Sequence, residues 1–201
     1  MDFVVVVLAL LAILTPIFFT HAHAENLEVA PNRADKAGMA RWLARENYMG
    51  ALGTISKYYP GYPFSQITSY AEGADMDAPG VLYFYTSTMD TSMGDIAVNA
   101  NVSFAVTAAT LPGRCDPSSH TLDPESPPCP KATFVGSFVS VSDPKESQAA
   151  KAVLFERHPA MKTWPDSHDW GVWKINIEKI WLIDIYGGPS DVSVDAYFSH
   201  K

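Results

Sequence analysis

Two cysteines, six histidines, one glycosylation sequon and a hydroxyl-rich turn are the parts of this 201-residue chain that could do chemistry. Cys115 and Cys129 lie within residues 111–131, a stretch dense in Pro, Ser, Asp and Gly that reads as one exposed loop. In an oxidising compartment the even count and the loop setting favour a single bridge. Two free thiols are the bland alternative, and a zinc pair is weaker still because only His120 lies between them. His120, His158, His168 and His200 share no metal-ligand spacing and no HExxH is present, so no metal is expected. His158, before Pro159, is expected to end a helix, where an imidazolium would suit the dipole. No GxSxG elbow supports Ser-His-Asp catalysis, and no catalytic residue is assigned.

The hydroxyls of Thr86, Ser87, Thr88, Thr91 and Ser92 fall between a predicted strand and a short predicted helix over residues 92–99. Such a turn can bind phosphate through hydroxyls and free amides, and its alternative role is a solvated turn. Against phosphate stands the charge pattern. Residues 58–113 contain no Lys or Arg, yet hold Glu72, Asp75, Asp77, Asp90 and Asp95. Gly187 and Gly188 could allow close approach of a ligand or a second subunit, or simply make the reversal before the C-terminal segment. Trp164, Trp170, Trp173 and Trp181 could line a ligand site, but packing in the core or at a dimer interface is the simpler expectation.

Composition narrows the setting. With 47% apolar and 18% charged residues the chain is a single globular domain. A formal charge of −8 and no two adjacent basic residues leave nothing for a phosphate backbone, so nucleic-acid binding is not expected. Residues 4–19 are apolar apart from Thr15 and Pro16, too short to span a bilayer, and are followed by Ala22-His23-Ala24. That reads as a signal peptide over residues 1–24, cleaved between Ala24 and Glu25, although Asp2 stands where a cation is usual. Residues 25–201 are then one luminal domain with no membrane span. Asn101-Val102-Ser103 is the one N-x-S/T sequon and opens a predicted strand, at an expected surface edge. The last residues, Phe198-Ser199-His200-Lys201, form no KDEL-type signal.

The elements that must position these residues are mostly strands. Asn32 is placed to cap a helix over residues 33–48, and Asp143-Pro144-x-Glu146 announces a second, carrying Ala150, Val153 and Leu154 inward and ending at Pro159. Six segments, residues 51–59, 66–71, 81–87, 102–110, 133–141 and 172–186, carry strand composition. In the last, Trp173, Ile175, Ile177, Trp181, Ile183 and Ile185 share one parity, while Lys179 breaks it and Ile180 and Leu182 take the other. A bulge or a second covered face is expected there. The fold class is α+β, mainly β: a closed or nearly closed antiparallel barrel of about six strands, flanked by helices.

The segments Gly50-Ala51-Leu52-Gly53-Thr54-Ile55-Ser56, Tyr83-Phe84-Tyr85, Arg157-His158-Pro159-Ala160-Met161-Lys162-Thr163-Trp164-Pro165 and Tyr186-Gly187-Gly188-Pro189 resemble the CREG family of secreted glycoproteins. The resemblance covers about residues 34–197 and includes the cysteine spacing. It implies an FMN-binding split barrel, similar to pyridoxine phosphate oxidases, assembled as a homodimer. It also implies N-glycosylation, secretion or lysosomal delivery, and a sorting receptor of the mannose-6-phosphate type. The family is named for an effect on transcription, and a growth-regulatory effect of an acidic, secreted chain is expected to be indirect. Because a fold alone does not define an activity, the missing cations decide the expectation: a non-enzymatic binding module with no cofactor. No cofactor-binding residue is expected, and Ser87, Thr88, Gly187 and Gly188 are the candidates for vestiges of a flavin site. An FMN-dependent oxidoreductase is the alternative, and a haem-binding relative a third reading.

Overall fold

The computed structural model describes residues 28–115, 118 and 122–200, and within them every predicted element is found with shifted ends. Helix α1 (Lys36–Glu46) is capped by Asp35, whose Oδ1 accepts from the Gly38 amide at 2.8 Å. Asn32 instead closes the preceding turn, its Oδ1 accepting from the Ala34 amide at 2.9 Å, so the predicted start at Arg33 is early. Asp35 is the better-held cap because its other oxygen meets His200 Nε2 at 2.9 Å. The helix buries Met39, Ala40, Leu43 and Ala44.

Eight strands follow: β1 (Met49–Ile55), β2 (Pro63–Ser69), β3 (Ala71–Glu72), β4 (Leu82–Ser87), β5 (Asn101–Thr107), β6 (Lys131–Ser140), β7 (Trp170–Ile183) and β8 (Ser190–Val192). The six expected strands are joined by two very short ones, β3 and β8. Helix α2 (Thr91–Ile96) lies between β4 and β5, α3 (Pro144–Arg157) between β6 and β7, and α4 (Val194–Ser199) near the end. Asp143 caps α3, its Oδ1 accepting from the Lys145 and Glu146 amides, as its sequence announces. All ladders are antiparallel, in the order β2-β1-β5-β6-β7-β4-β3, with β8 on the free edge of β7. The sheet curls until β2 and β4 approach each other, but no ladder joins them. The barrel is therefore split along that line.

The long strand β7 carries the predicted bulge. Val135 of β6 pairs with Lys179, and Gly136 pairs with Ile177, which leaves Glu178 as the extra residue. Side-chain parity inverts there. Before it Ile175 and Ile177 point inward, and after it Ile180, Leu182 and Asp184 do. Trp181 and Ile185, which share the sequence parity of Ile175 and Ile177, are turned outward by the bulge and are 41% and 47% exposed. Gly136 is required at the crossing, because a Cβ there would stand 1.9 Å from the Asn176 carbonyl oxygen.

Inside the barrel an aromatic spine runs from Tyr70 through Phe104, Phe84 and Phe138 to Trp173, with ring centroids 4.9–5.8 Å apart. Cys115 and Cys129 are joined in a disulfide and both are buried in the same core, so the segment around them is anchored rather than wholly exposed.

Two outcomes follow for stability. Gly136→Ala should lower the unfolding free energy by about 3 kcal/mol, because backbone on both strands must move; a denaturant midpoint unchanged from wild type would refute the bulge geometry. Replacing both cysteines by serine should cost about 3 kcal/mol by releasing the closed loop in the unfolded chain, measured in the same titration.

Candidate functional site

The split between β2 and β4 opens into a cavity of 240 Å³. Gln66, Ile67, Thr68 and Ser69 of β2 form one side, and Tyr85 and Thr86 of β4 the other. Asp90, Ser92, Met93, Met161, Trp164, Trp170, Leu52 and Phe138 complete the lining. The aromatic wall is a single cluster: Trp164 and Trp170 lie 4.6 Å apart, and Tyr85 stacks at 5.4 Å on Trp170 and 6.1 Å on Trp164. Lys151 Nζ sits 5.1 Å from the Tyr85 centroid but does not belong to the lining. The four tryptophans thus divide. Two line the cavity, Trp173 joins the core, and Trp181 faces outward.

Position 90 sets the electrostatics. Asp90 caps α2, and its Oδ1 accepts from the Ser92 amide at 2.8 Å and from Gln66 Nε2 at 2.7 Å. The carboxylate therefore takes the helix-terminal amide that a phosphate would want, and brings a negative charge with it. Among the described lining residues there is no Lys or Arg. An anion entering this cavity meets the Asp90 charge, and no described lining residue is a cation that offsets it. The other acids of residues 58–113 with buried side chains are engaged elsewhere: Glu72 pairs with Arg41 Nη2 at 3.3 Å, and Asp95 accepts from Thr54 Oγ1 at 2.7 Å and the Lys57 amide at 2.8 Å.

The residues singled out in the sequence are only partly brought together. Ser87 is buried and its hydroxyl donates to the His168 carbonyl while accepting from the Met89 amide at 3.0 Å. Thr88 Oγ1 donates to Asp169 Oδ2 at 3.0 Å. Both hydroxyls tie the β4 exit to the turn before β7 and are spent on the fold. Gly187 and Gly188 occupy the exposed turn after β7 with φ of 114° and 106°, and they are not among the described residues lining the cavity. Thr68 was missed; its Oγ1, like Ser92 Oγ, is buried without a hydrogen-bond partner. Only the approach of β2 to α2 in three dimensions brings both to one cavity lining.

His158 caps the C-terminus of α3 through its backbone amide, and its surroundings disfavour the expected imidazolium. Nε2 lies 2.8 Å from the Tyr70 carbonyl and donates to it. Burial lowers its pKa first, the carbonyl opposes that shift, and the Arg157 charge adds to it. Asn101 is the exposed first residue of β5; that strand is interior to the sheet, so the sequon lies on an open face rather than at a sheet edge. The cleavage point Ala24/Glu25 and His120 lie outside the described residues. Among the described residues no cluster of three or more His, Cys, Asp or Glu is placed to hold a metal ion, and no helix is long and apolar enough to cross a membrane.

Solved structures share this antiparallel split-barrel fold. A haem-binding protein from Mycobacterium smegmatis superposes with a TM-score of 0.64 at 20% identity, covering 85% of this chain and 62% of that one. General Stress Protein 26 from Bacillus anthracis gives 0.52 at 16% identity, over 81% and 100% of the two chains. These likenesses define a split-barrel protein and nothing finer. The family comes from sequence: the chain belongs to the CREG family, whose model "CREG, beta-barrel" matches residues 31–199. It is 38% identical to Protein CREG1 of Gallus gallus over 175 residues, 85% of this chain and 89% of that protein. It is 36% identical to Protein CREG1 of Homo sapiens over 178 residues, 88% and 79% respectively.

The lowered pKa of His158 gives a signed prediction. The unfolded ring, near its ordinary pKa of 6.5, binds a proton more readily than the folded ring, so stability is full above that pH and falls as pH drops through it toward the folded pKa. Thermal midpoints between pH 7.5 and 5 should decline by this linkage. His158→Gln, which keeps a donor for the Tyr70 carbonyl, should flatten the decline; an unchanged slope would assign it to other groups.

Proposed function

We propose that this chain is a secreted or endolysosomal, non-enzymatic glycoprotein that acts as a dimeric binding module and has lost the flavin site of its fold. The observation that carries this reading is the cleft at the split, where Asp90 holds the α2 terminus and no described lining residue is cationic. A flavin phosphate with about two negative charges needs Arg, Lys or a free helix terminus. Here the terminus is taken and the cations are missing.

A second copy is supported by the outer face of the sheet. The ladders align Ile67, Ala51, Ala105, Thr133 and Trp181 in one row across β2, β1, β5, β6 and β7. The middle of the row is small and flat, and its ends are a 68% exposed isoleucine and a 41% exposed tryptophan. A mostly apolar groove of 340 Å³ lies along it, lined by Met49, Ile67, Ala105 and Pro124 among others. Such a face suits packing against its own copy about a twofold axis. Asn101 stands on the same face, four residues along β5 from Ala105, or about 13 Å. A glycan there marks the rim of the paired surface and stays available to a glycan-reading receptor of the mannose-6-phosphate type.

Three measurements on protein secreted from cells check this reading. FMN titration should show no saturable binding, and the purified protein should carry neither flavin absorbance nor a haem Soret band; micromolar FMN affinity would favour the oxidoreductase instead. Light scattering after deglycosylation should give about twice the chain mass, and Trp181→Asp should halve it. Intact mass should place cleavage before Glu25 and convert Asn101 by one mass unit on enzymatic glycan release.

A further inference from the structure

The sequon shares one end of the barrel with a group of exposed apolar side chains. Ile55 ends β1, Tyr58, Tyr59 and Tyr62 lie in the turn that follows, Pro63 begins β2, and Val98 lies between α2 and β5. Ile55, the three tyrosines and Val98 are between 50% and 72% exposed. The turn that presents the tyrosines is firmly held. Buried Asp95 accepts from Thr54 Oγ1 and from the Lys57 amide, Ser56 Oγ accepts from the Tyr59 amide at 3.0 Å, and the Tyr62 carbonyl accepts from the Ser56 amide at 3.1 Å. A turn fixed in this way loses little freedom when something packs on it. Register brings Asn101 to the same place. Gly53 pairs with Ser103, so two residues further along both strands Ile55 stands across from Asn101 on the outer face. Pro63 lies next to Ile55 and Ser137 next to Asn101, and the row holds no charged side chain. The Asn101 amide donates to Asn99 Oδ1 at 3.0 Å, which fixes the sequon backbone, while its carboxamide has no hydrogen-bond partner among the described residues.

We propose that the first two sugars of the Asn101 glycan pack on this hairpin and complete the end of the barrel. The N-acetylglucosamine on Asn101 Nδ2 lays its C–H face on Ile55, and the second sugar reaches Pro63, about two strand spacings or 10 Å from Asn101, and the Tyr62 that precedes it. Attachment at Asn101 keeps these sugars beside the patch at high effective concentration and puts them in the way of any macromolecule that would dock there. The outer, mannose-bearing branches project beyond the packed core and stay free for a receptor. The packing rests on the reading that Asn101 is glycosylated, and it gives that glycan a structural part beside recognition.

Full-length protein secreted from cells that make only high-mannose glycans is compared, at one protein concentration, in three forms: intact, trimmed by an endoglycosidase to one N-acetylglucosamine, and fully released by peptide-N-glycosidase. Full release should lower the thermal midpoint by about 3 °C, and the trimmed form should keep at least about half of that difference. Release leaves an aspartate at position 101, so Asn101→Gln is the uncharged control and should melt with the released form. Ile55→Ser should cut the glycan-dependent shift, measured within the variant so that its own stability does not enter, to below about 1 °C. Nuclear Overhauser contacts should join the sugar of the trimmed form to the Ile55 methyl groups. A midpoint indifferent to glycan release, a shift that survives Ile55→Ser in full, or a sugar without contact to Ile55 would overturn the packing. An intact mass with no glycan at Asn101 would overturn the glycoprotein reading along with it, so the two failures are distinguishable.

Discussion

The single extra residue at Glu178 is the constraint on which the rest of the barrel depends. β7 has to serve three partners: β6 along nearly its whole length, β4 at its beginning and β8 at its end. A regular strand of that length would keep one face inward throughout and would bury Trp181 while exposing Leu182. The bulge inverts the parity, so that Ile175 and Ile177 serve the aromatic spine and Ile180 and Leu182 serve the α1 side of the core. It also places Asp184 inside, 1% exposed, where Lys36 Nζ meets it at 2.6 Å and fastens the end of the strand to α1. The same inversion turns Trp181 out to complete the small-residue row. Core, helix docking and outer face all take their register from one position.

The stretch from Arg157 to Pro165, the most distinctive in the chain, divides between structure and site at Pro159. Arg157 Nη2 donates to the carbonyls of Arg45, Glu46 and Asn47 at 2.8, 3.1 and 2.9 Å, satisfying the open end of α1. His158 holds the Tyr70 carbonyl, while the Tyr70 hydroxyl donates to the Ala44 carbonyl at 2.6 Å. These groups lock α1, α3 and the entry to β3 together. Beyond the proline, Met161 and Trp164 reach the cleft. The stretch therefore acts as a brace that ends in a cavity wall.

Much of this was legible in the sequence because it is local. The Asp143-Pro144-x-Glu146 signature needs only helix-end chemistry, and α3 begins where it should. The parity break at Lys179 was visible as a break, but its resolution was not. A bulge and a covered second face give the same pattern in one strand, and only pairing with Gly136 decides between them. The same limit applies to the cleft. The hydroxyls of Ser87 and Thr88 look identical to that of Ser92 in sequence, yet the first two are consumed by the His168 and Asp169 turn, which is far along the chain. His158 fails for a related reason. Its position after the helix suggests a charged cap, but burial against Tyr70 sets its protonation, and burial is not a local property.

Asp90 is at once a strut and a negative charge in the lining of the cleft. Its carboxylate joins α2 to the edge strand β2 through Ser92 N and Gln66 Nε2, so the charge that repels phosphate also holds two sides of the cavity at their present separation. Removing the side chain would free the helix terminus for an anion, but it would also release the wall that shapes the space. An arginine placed on β4 would meet Asp90 before it met a ligand, and the pair would neutralise itself in a partly buried setting. Structural support and electrostatic sign are thus combined in one residue. The group that gives the cleft its negative charge is also the group that ties β2 to α2.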